Sequence, residues 1–189
     1  EDHVEAAGLP VSGVAPHDAP MAADNRPVEL IASGRRETRD PQVDFDFILG
    51  WHPEILGKGD VVFDRTTGKQ LWGEHVGKIV FRFEEPGGAF ILRPPEPVVL
   101  RERFDCVNLW AHRDGRHGKG GLTVLALVKD AAGREHEFFL GQLEAAGWNL
   151  LHGRINAEIL DRIEYPAAFS GIRFSNCPVS STVTNYVDS

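Results

Sequence analysis

The sequence holds a single methionine and two cysteines, and no apolar run approaches the roughly 18 residues a membrane-spanning helix needs. The scarcity of methionine, beside twelve prolines and twenty glycines, weighs against long helices and for many short strands joined by turns. Cys106 and Cys177 both fall in strand-like segments; two buried free thiols are the expected state, so cysteine usage identifies no compartment. Excess positive charge is also lacking. The net charge of −8 excludes a general binder of nucleic-acid backbones, which needs a concentrated basic surface. No signal-peptide pattern opens the chain, whose polar start at Glu1 is that expected of a mature or trimmed chain. What is present, 42% hydrophobic and 25% charged residues over 189, is ordinary globular composition and enough for one sizeable core.

Residues 1–26 are rich in Ala, Pro and Gly without periodicity and read as an extended N-terminal arm or linker. Residues 27–189 read as one domain. Its first strand candidates are Val28–Ser33 and Val43–Leu49, the latter alternating Val43, Phe45 and Phe47 with Asp44 and Asp46. Residues 50–76 read as a long irregular stretch, and long loops in compact domains are more often functional than ornamental. Strands are then expected at Gly77–Phe83, Ala89–Leu92, Phe104–His112, Leu122–Val128, Glu135–Leu140, Gly147–Ile155, Phe169–Phe174 and Thr182–Asp188. Pro94, Pro95 and Pro97 confine their segment to an edge or a crossing. Leu122–Val128 is nearly continuously apolar, as a central strand would be, and Lys129–Arg134 turns it into a hairpin with Glu135–Leu140. Asn156–Glu164 carries the one helix-like pattern, a turn or two. About ten strands without βαβ alternation predict an all-β, two-sheet antiparallel β-sandwich.

Catalytic signatures are missing. There is no G-x-S-x-G, and Gly115–Gly121 fails the phosphate-loop spacing, with no Ser or Thr after Lys119. His136-Glu137 starts a zincin-like pattern, but Leu140 stands where the second histidine belongs. His112, Asp114 and His117 read as solvated residues of a hairpin loop rather than zinc ligands. Asp44 with Asp46, and Glu135 with Glu137, sit two apart on a strand, about 6.5–7 Å, a spacing glycoside hydrolysis permits. Any outward strand face supplies such pairs, so solvated surface is the expected role.

From Phe104 onward the chain resembles the carbohydrate-binding-module jelly rolls, also called galactose-binding-like domains. The resemblance is carried, in order, by the strand Phe104–Trp110 before the polar loop His112–Gly115, and by the hairpin that runs from Leu122 through Arg134 into Phe138–Leu140. Gly147-Trp148 opening a strand, the crossover at Tyr165-Pro166 and the closing Tyr186-Val187-Asp188 continue it. Upstream, Gly73–Gly77 resembles the glycine turn before an early strand of such modules. The resemblance implies a jelly roll and a non-catalytic carbohydrate-binding module of a larger secreted, periplasmic or cell-surface protein, with a polysaccharide or oligosaccharide as partner. It also implies a structural calcium ion near the first and last strands, held by Asp188 with Asp44 or Asp46; two carboxylates would need carbonyl and water oxygens to complete six to eight ligands.

Sugars offer C–H faces to flat rings and hydroxyls to charged or amide groups at the rim. Trp51 and Trp72 bracket the irregular stretch with His52, Arg65 and Glu74 nearby; they are the better platform candidates of the four, against the alternative that they plug the sandwich end, as well-buried tryptophans do. Trp110, at a strand end, divides evenly between platform and core, and Trp148 is expected in the core. Two rival readings share the architecture: a polysaccharide lyase or glycoside hydrolase, and a structural or interaction sandwich without a sugar site.

Overall fold

The computed structural model describes residues 41–188, apart from 44, 70, 72, 73, 101, 102, 116–120 and 180. The expected arm, its boundary at residue 26 and the expected strand Val28–Ser33 lie outside the described residues. Gln42–Ser189 forms one compact unit. Its strands are β1 (His52–Leu56), β2 (Gly59–Thr66), β3 (Val76–Phe83), β4 (Ala89–Arg93), β5 (Val98–Leu100) and β6 (Cys106–Arg113). They continue with β7 (Leu122–Lys129), β8 (Glu135–Leu143), β9 (Gly147–Arg154), β10 (Ala167–Ser175) and β11 (Val183–Asp188). One helical turn, α1 (Ala157–Leu160), is capped by Asn156, whose side chain accepts from the Glu158 N–H.

Two antiparallel sheets result. Sheet 1 has the order β1-β4-β10-β7-β8, with β5 also paired to β10; sheet 2 has the order β2-β3-β11-β6-β9. The expected all-β sandwich is the observed fold. Alternate residues of both sheets turn inward, and Phe81, Phe83, Phe90 and Phe174 meet at the centre of the core. The continuous apolar run of β7 lies between β10 and β8, as a central strand should.

Two expectations are corrected. The described residues of 43–49 form bends, turns and irregular backbone, not a strand. The alternation is real, but the Asp46 carboxylate is held by a distant segment, accepting the backbone N–H groups of Glu74 and His75. Residues 50–76 are not irregular: they contain β1 and β2. Both are edge strands, so β1 tolerates Pro53, and the outward Asp60 and Asp64 obscure the apolar pattern of β2. No disulfide joins the two cysteines; Cys177 is buried, but Cys106 is only half-buried.

The β7–β8 hairpin is locked by charge. The Asp130 carboxylate lies 2.9 Å from His136 Nε2 and accepts from the Arg134 backbone N–H and Nε, both at 2.9 Å. The hydrogen bond with His136, then those from Arg134, hold its pKa well below the usual carboxylate range despite burial. A depressed folded-state pKa stabilises above the unfolded value near ~4 and loses that stabilisation as pH falls towards the folded one. Asp130→Asn is therefore expected to lower the melting temperature at pH 7, with the deficit narrowing only well below pH ~4. Thermal melts from pH 7 to 2 read this; a deficit independent of pH would contradict it.

Candidate functional site

Because inner residues alternate with outer ones, the registers determine which side chains share the outer face of sheet 1. One row crosses five strands: Glu54 on β1, Ile91 on β4, Arg173 on β10, Leu125 on β7 and Phe139 on β8. Four strand spacings make it about 19 Å long. Beside it run His52 opposite Arg93, and Leu127 opposite Glu137.

The charges on this face are paired into fixed positions. Arg93 Nε donates to Glu54 at 3.0 Å, while Nη1 and Nη2 reach the two oxygens of Glu135 at 2.6 and 3.3 Å. The Ser170 hydroxyl donates to Glu135 at 2.8 Å, and Arg173 Nη1 to Glu137 at 2.6 Å. Arg93 reaches across the sheet because Gly171 lies beneath it. A Cβ there would stand 2.7 Å from the Leu92 carbonyl oxygen and 3.4 Å from Arg93 Cδ, in a backbone with φ +156° that favours glycine. The bond from Arg93, then that from Ser170, lowers the pKa of Glu135, and Glu135 raises that of Arg93.

At the β8 end, Phe139 is 57% exposed, its ring standing on the open face next to Leu125. A flat apolar ring flanked by immobilised guanidinium and carboxylate groups matches the chemistry of a sugar, with its C–H face and its hydroxyl rim. Glu135, expected as half of a carboxylate pair, moves down in pKa, whereas a general acid must be raised.

The residues expected from the sequence are distributed otherwise. Trp51 is half-buried at the end of the sandwich, with the rings of Phe45, Phe63 and Phe169 at 5.5, 5.9 and 6.4 Å. His52 is exposed on the face just described. Arg65 and Glu74 are exposed and meet at Asp46, Arg65 Nη1 donating to its carbonyl and the Glu74 N–H to its carboxylate. Trp72 lies outside the described residues. Trp110 is 7% exposed on the outward side of sheet 2. Trp148 is buried as expected, although from that same outward side, with its ring 5.2 Å from His112. His112 is thus a buried strand residue, not a solvated loop one, and His117 lies outside the described residues.

Two of the carboxylates expected to bind calcium, Asp46 and Asp188, accept backbone N–H groups. Asp188 Oδ2 accepts the Leu71 N–H at 2.7 Å, and Asp46 accepts those of Glu74 and His75. Among the described residues no three His, Cys, Asp or Glu side chains converge as a metal requires. Asp44 lies outside them. The Asp46 and Asp188 carboxylates tie down the segment after β2.

Arg93, Arg173, Ser170 and Phe139 escaped the sequence reading. One signal was available: in a two-layer sandwich, the consecutive Phe138-Phe139 must send one ring outward.

No family model matches the sequence, and no curated protein matches it. Solved structures do match the fold. A structure described for the promiscuous specificity of carbohydrate-binding modules of the β-sandwich superfamily aligns with TM-score 0.54 and 14% identity, over 74% of this chain and 55% of that one. The chain thus spans about half the length of that structure. A family 11 carbohydrate-binding module from Clostridium thermocellum, in complex with a β-1,3-1,4-mixed-linked tetrasaccharide, aligns with TM-score 0.50 and 11% identity over 78% and 90%. The fold these structures share with the chain is a two-sheet β-sandwich. Among the described residues no helix is long and apolar enough to cross a membrane.

Proposed function

We propose that this chain is a non-catalytic carbohydrate-binding module within a larger secreted or cell-surface protein, and that it grips a glycan along the outer face of sheet 1. The observation that carries this reading is the row Glu54–Ile91–Arg173–Leu125–Phe139, in which an open ring and paired charges lie on one continuous face. Pairing removes much of the ordering cost of binding before the ligand arrives. The likeness to carbohydrate-binding folds supports it.

Titration calorimetry against mixed-linkage β-glucan, xylan and β-1,4-galactan tests it. At least one of these neutral glycans should bind. Phe139→Ala should weaken that binding about tenfold, matching the ~1.4 kcal/mol that ring stacking supplies. Its melting temperature should stay close to wild type, since the ring is already exposed. No binding across the panel would remove the reading.

A further inference from the structure

A separate concavity opens where the face ends. His52 opposite Arg93 is the last pair of β1 and β4; Trp51 precedes the one and Pro94 follows the other. Between them lies an open cavity of about 430 Å³, lined by Trp51, Phe47, Pro95 and Val98 with Gln42 and Glu96 among the polar groups. Its volume is within the range of about 300–1,000 Å³ typical of small-ligand sites.

Three features show a built wall rather than a chance hollow. The Trp51 ring is held from behind by Phe45, Phe63 and Phe169, so its orientation is fixed without a ligand. Gly50, at φ +84°, backs onto Pro95: a Cβ would come within 2.8 Å of the proline Cβ, so the 47–51 turn and the proline segment are closely apposed. Phe47 is 78% exposed at the rim, a large ring that packing within the domain does not account for.

We infer that this cavity is a second binding site, for the uncharged ring of a sugar at the end of a glycan chain. Ring faces and prolines suit the C–H surface of a pyranose, and Gln42 and Glu96 suit its hydroxyls. Glu96 is the charged residue of the lining, so a uronate or sulfated sugar would meet repulsion there. Continuity with the sheet face gives the site its place: His52 and Arg93, beside the Glu54 end of the row, lead from that face to the cavity. This inference rests on the carbohydrate-binding reading, and its test separates the two.

The probes are β-1,4-linked neutral tetrasaccharides (cello-, xylo- and galacto-) and tetragalacturonate, titrated into the full chain with tryptophan emission and calorimetric stoichiometry as readouts. Neutral probes should change the emission, and tetragalacturonate should not. A Trp51→Phe variant, which keeps a ring in the same packing, should lose that change. Phe47→Ala and Glu96→Lys should weaken the emission-detected event at least tenfold, with Phe139→Ala leaving it in place. Calorimetric binding that depends on Phe139, with no emission change assignable to Trp51, overturns the second site and leaves the sheet face standing. Equal response to tetragalacturonate overturns the charge argument on which it depends. No binding of any neutral probe overturns both readings.

Discussion

Replacing Phe90 with alanine is expected to destabilise the fold by about 3–5 kcal/mol, the usual cost of removing a fully buried aromatic side chain. Phe90 is completely buried on β4, stacked on Phe174 of β10 at 4.9 Å and tilted against Phe81 of β3 at 5.3 Å. It therefore joins neighbouring strands of sheet 1 to the facing strand of sheet 2. The cavity left by alanine would be walled by phenyl rings from both sheets, which cannot collapse inward without moving a strand. Urea unfolding followed by tryptophan emission and by circular dichroism measures the effect. A loss under 1 kcal/mol would mean that these rings do not hold the layers together.

The second large effect concerns Arg93. Arg93→Ala is expected to weaken glycan binding by about 10- to 150-fold, the range for losing a hydrogen bond from a charged group. The damage extends beyond one contact, because Arg93 organises Glu54 and Glu135 on either side of it. Without the guanidinium, two carboxylates face each other on β1 and β8-side positions of one surface, and Glu135 loses the main cause of its lowered pKa. The sign of the pH dependence follows. Wild type gains stability from Glu135 above its unfolded pKa near ~4.3 and loses it below; the variant lacks that gain, so its deficit should be largest at neutral pH and shrink in acid. Arg93→Lys should restore part of the stability and little of the binding, since an ammonium cannot reproduce the two-oxygen grip on Glu135. Equal binding by wild type and Arg93→Ala would take Arg93 out of the site.

Legibility in the sequence followed position in the sandwich. The interior strands β3, β7 and β10 could be read because burial demands apolar residues at every second position or more. β1 and β2 could not. At a sheet edge, Pro53 and the outward acids of β2 cost little, so the apolar signal weakens just where strands exist. Phe45 and Phe47 made the opposite error possible: their alternation with aspartates has the period of a strand, but Phe45 is buried beside Trp51 and Phe47 is exposed on a turn.

The site was harder to read for a topological reason. Arg93, Ser170 and Glu135 come together through the order β4-β10-β7-β8, in which β4 and β10, and β10 and β7, are far apart in sequence. No local spacing encodes that meeting. Size was misleading as well: the indoles of Trp110 and Trp148 drew attention as platforms or core, and both are buried, whereas the ring standing open on sheet 1 is a phenyl. Only the doublet Phe138-Phe139 announced it.

The measurement that bears most directly on the central claim is chemical-shift mapping of the isotope-labelled chain with a mixed-linkage β-glucan tetrasaccharide. Signals from Phe139 and its row partners Leu125 and Arg173, together with the Arg93 guanidinium, should move in concert and saturate at one affinity. If instead the resonances around Trp110 and His112 on sheet 2 respond while that row stays still, the glycan-binding face has been placed on the wrong sheet.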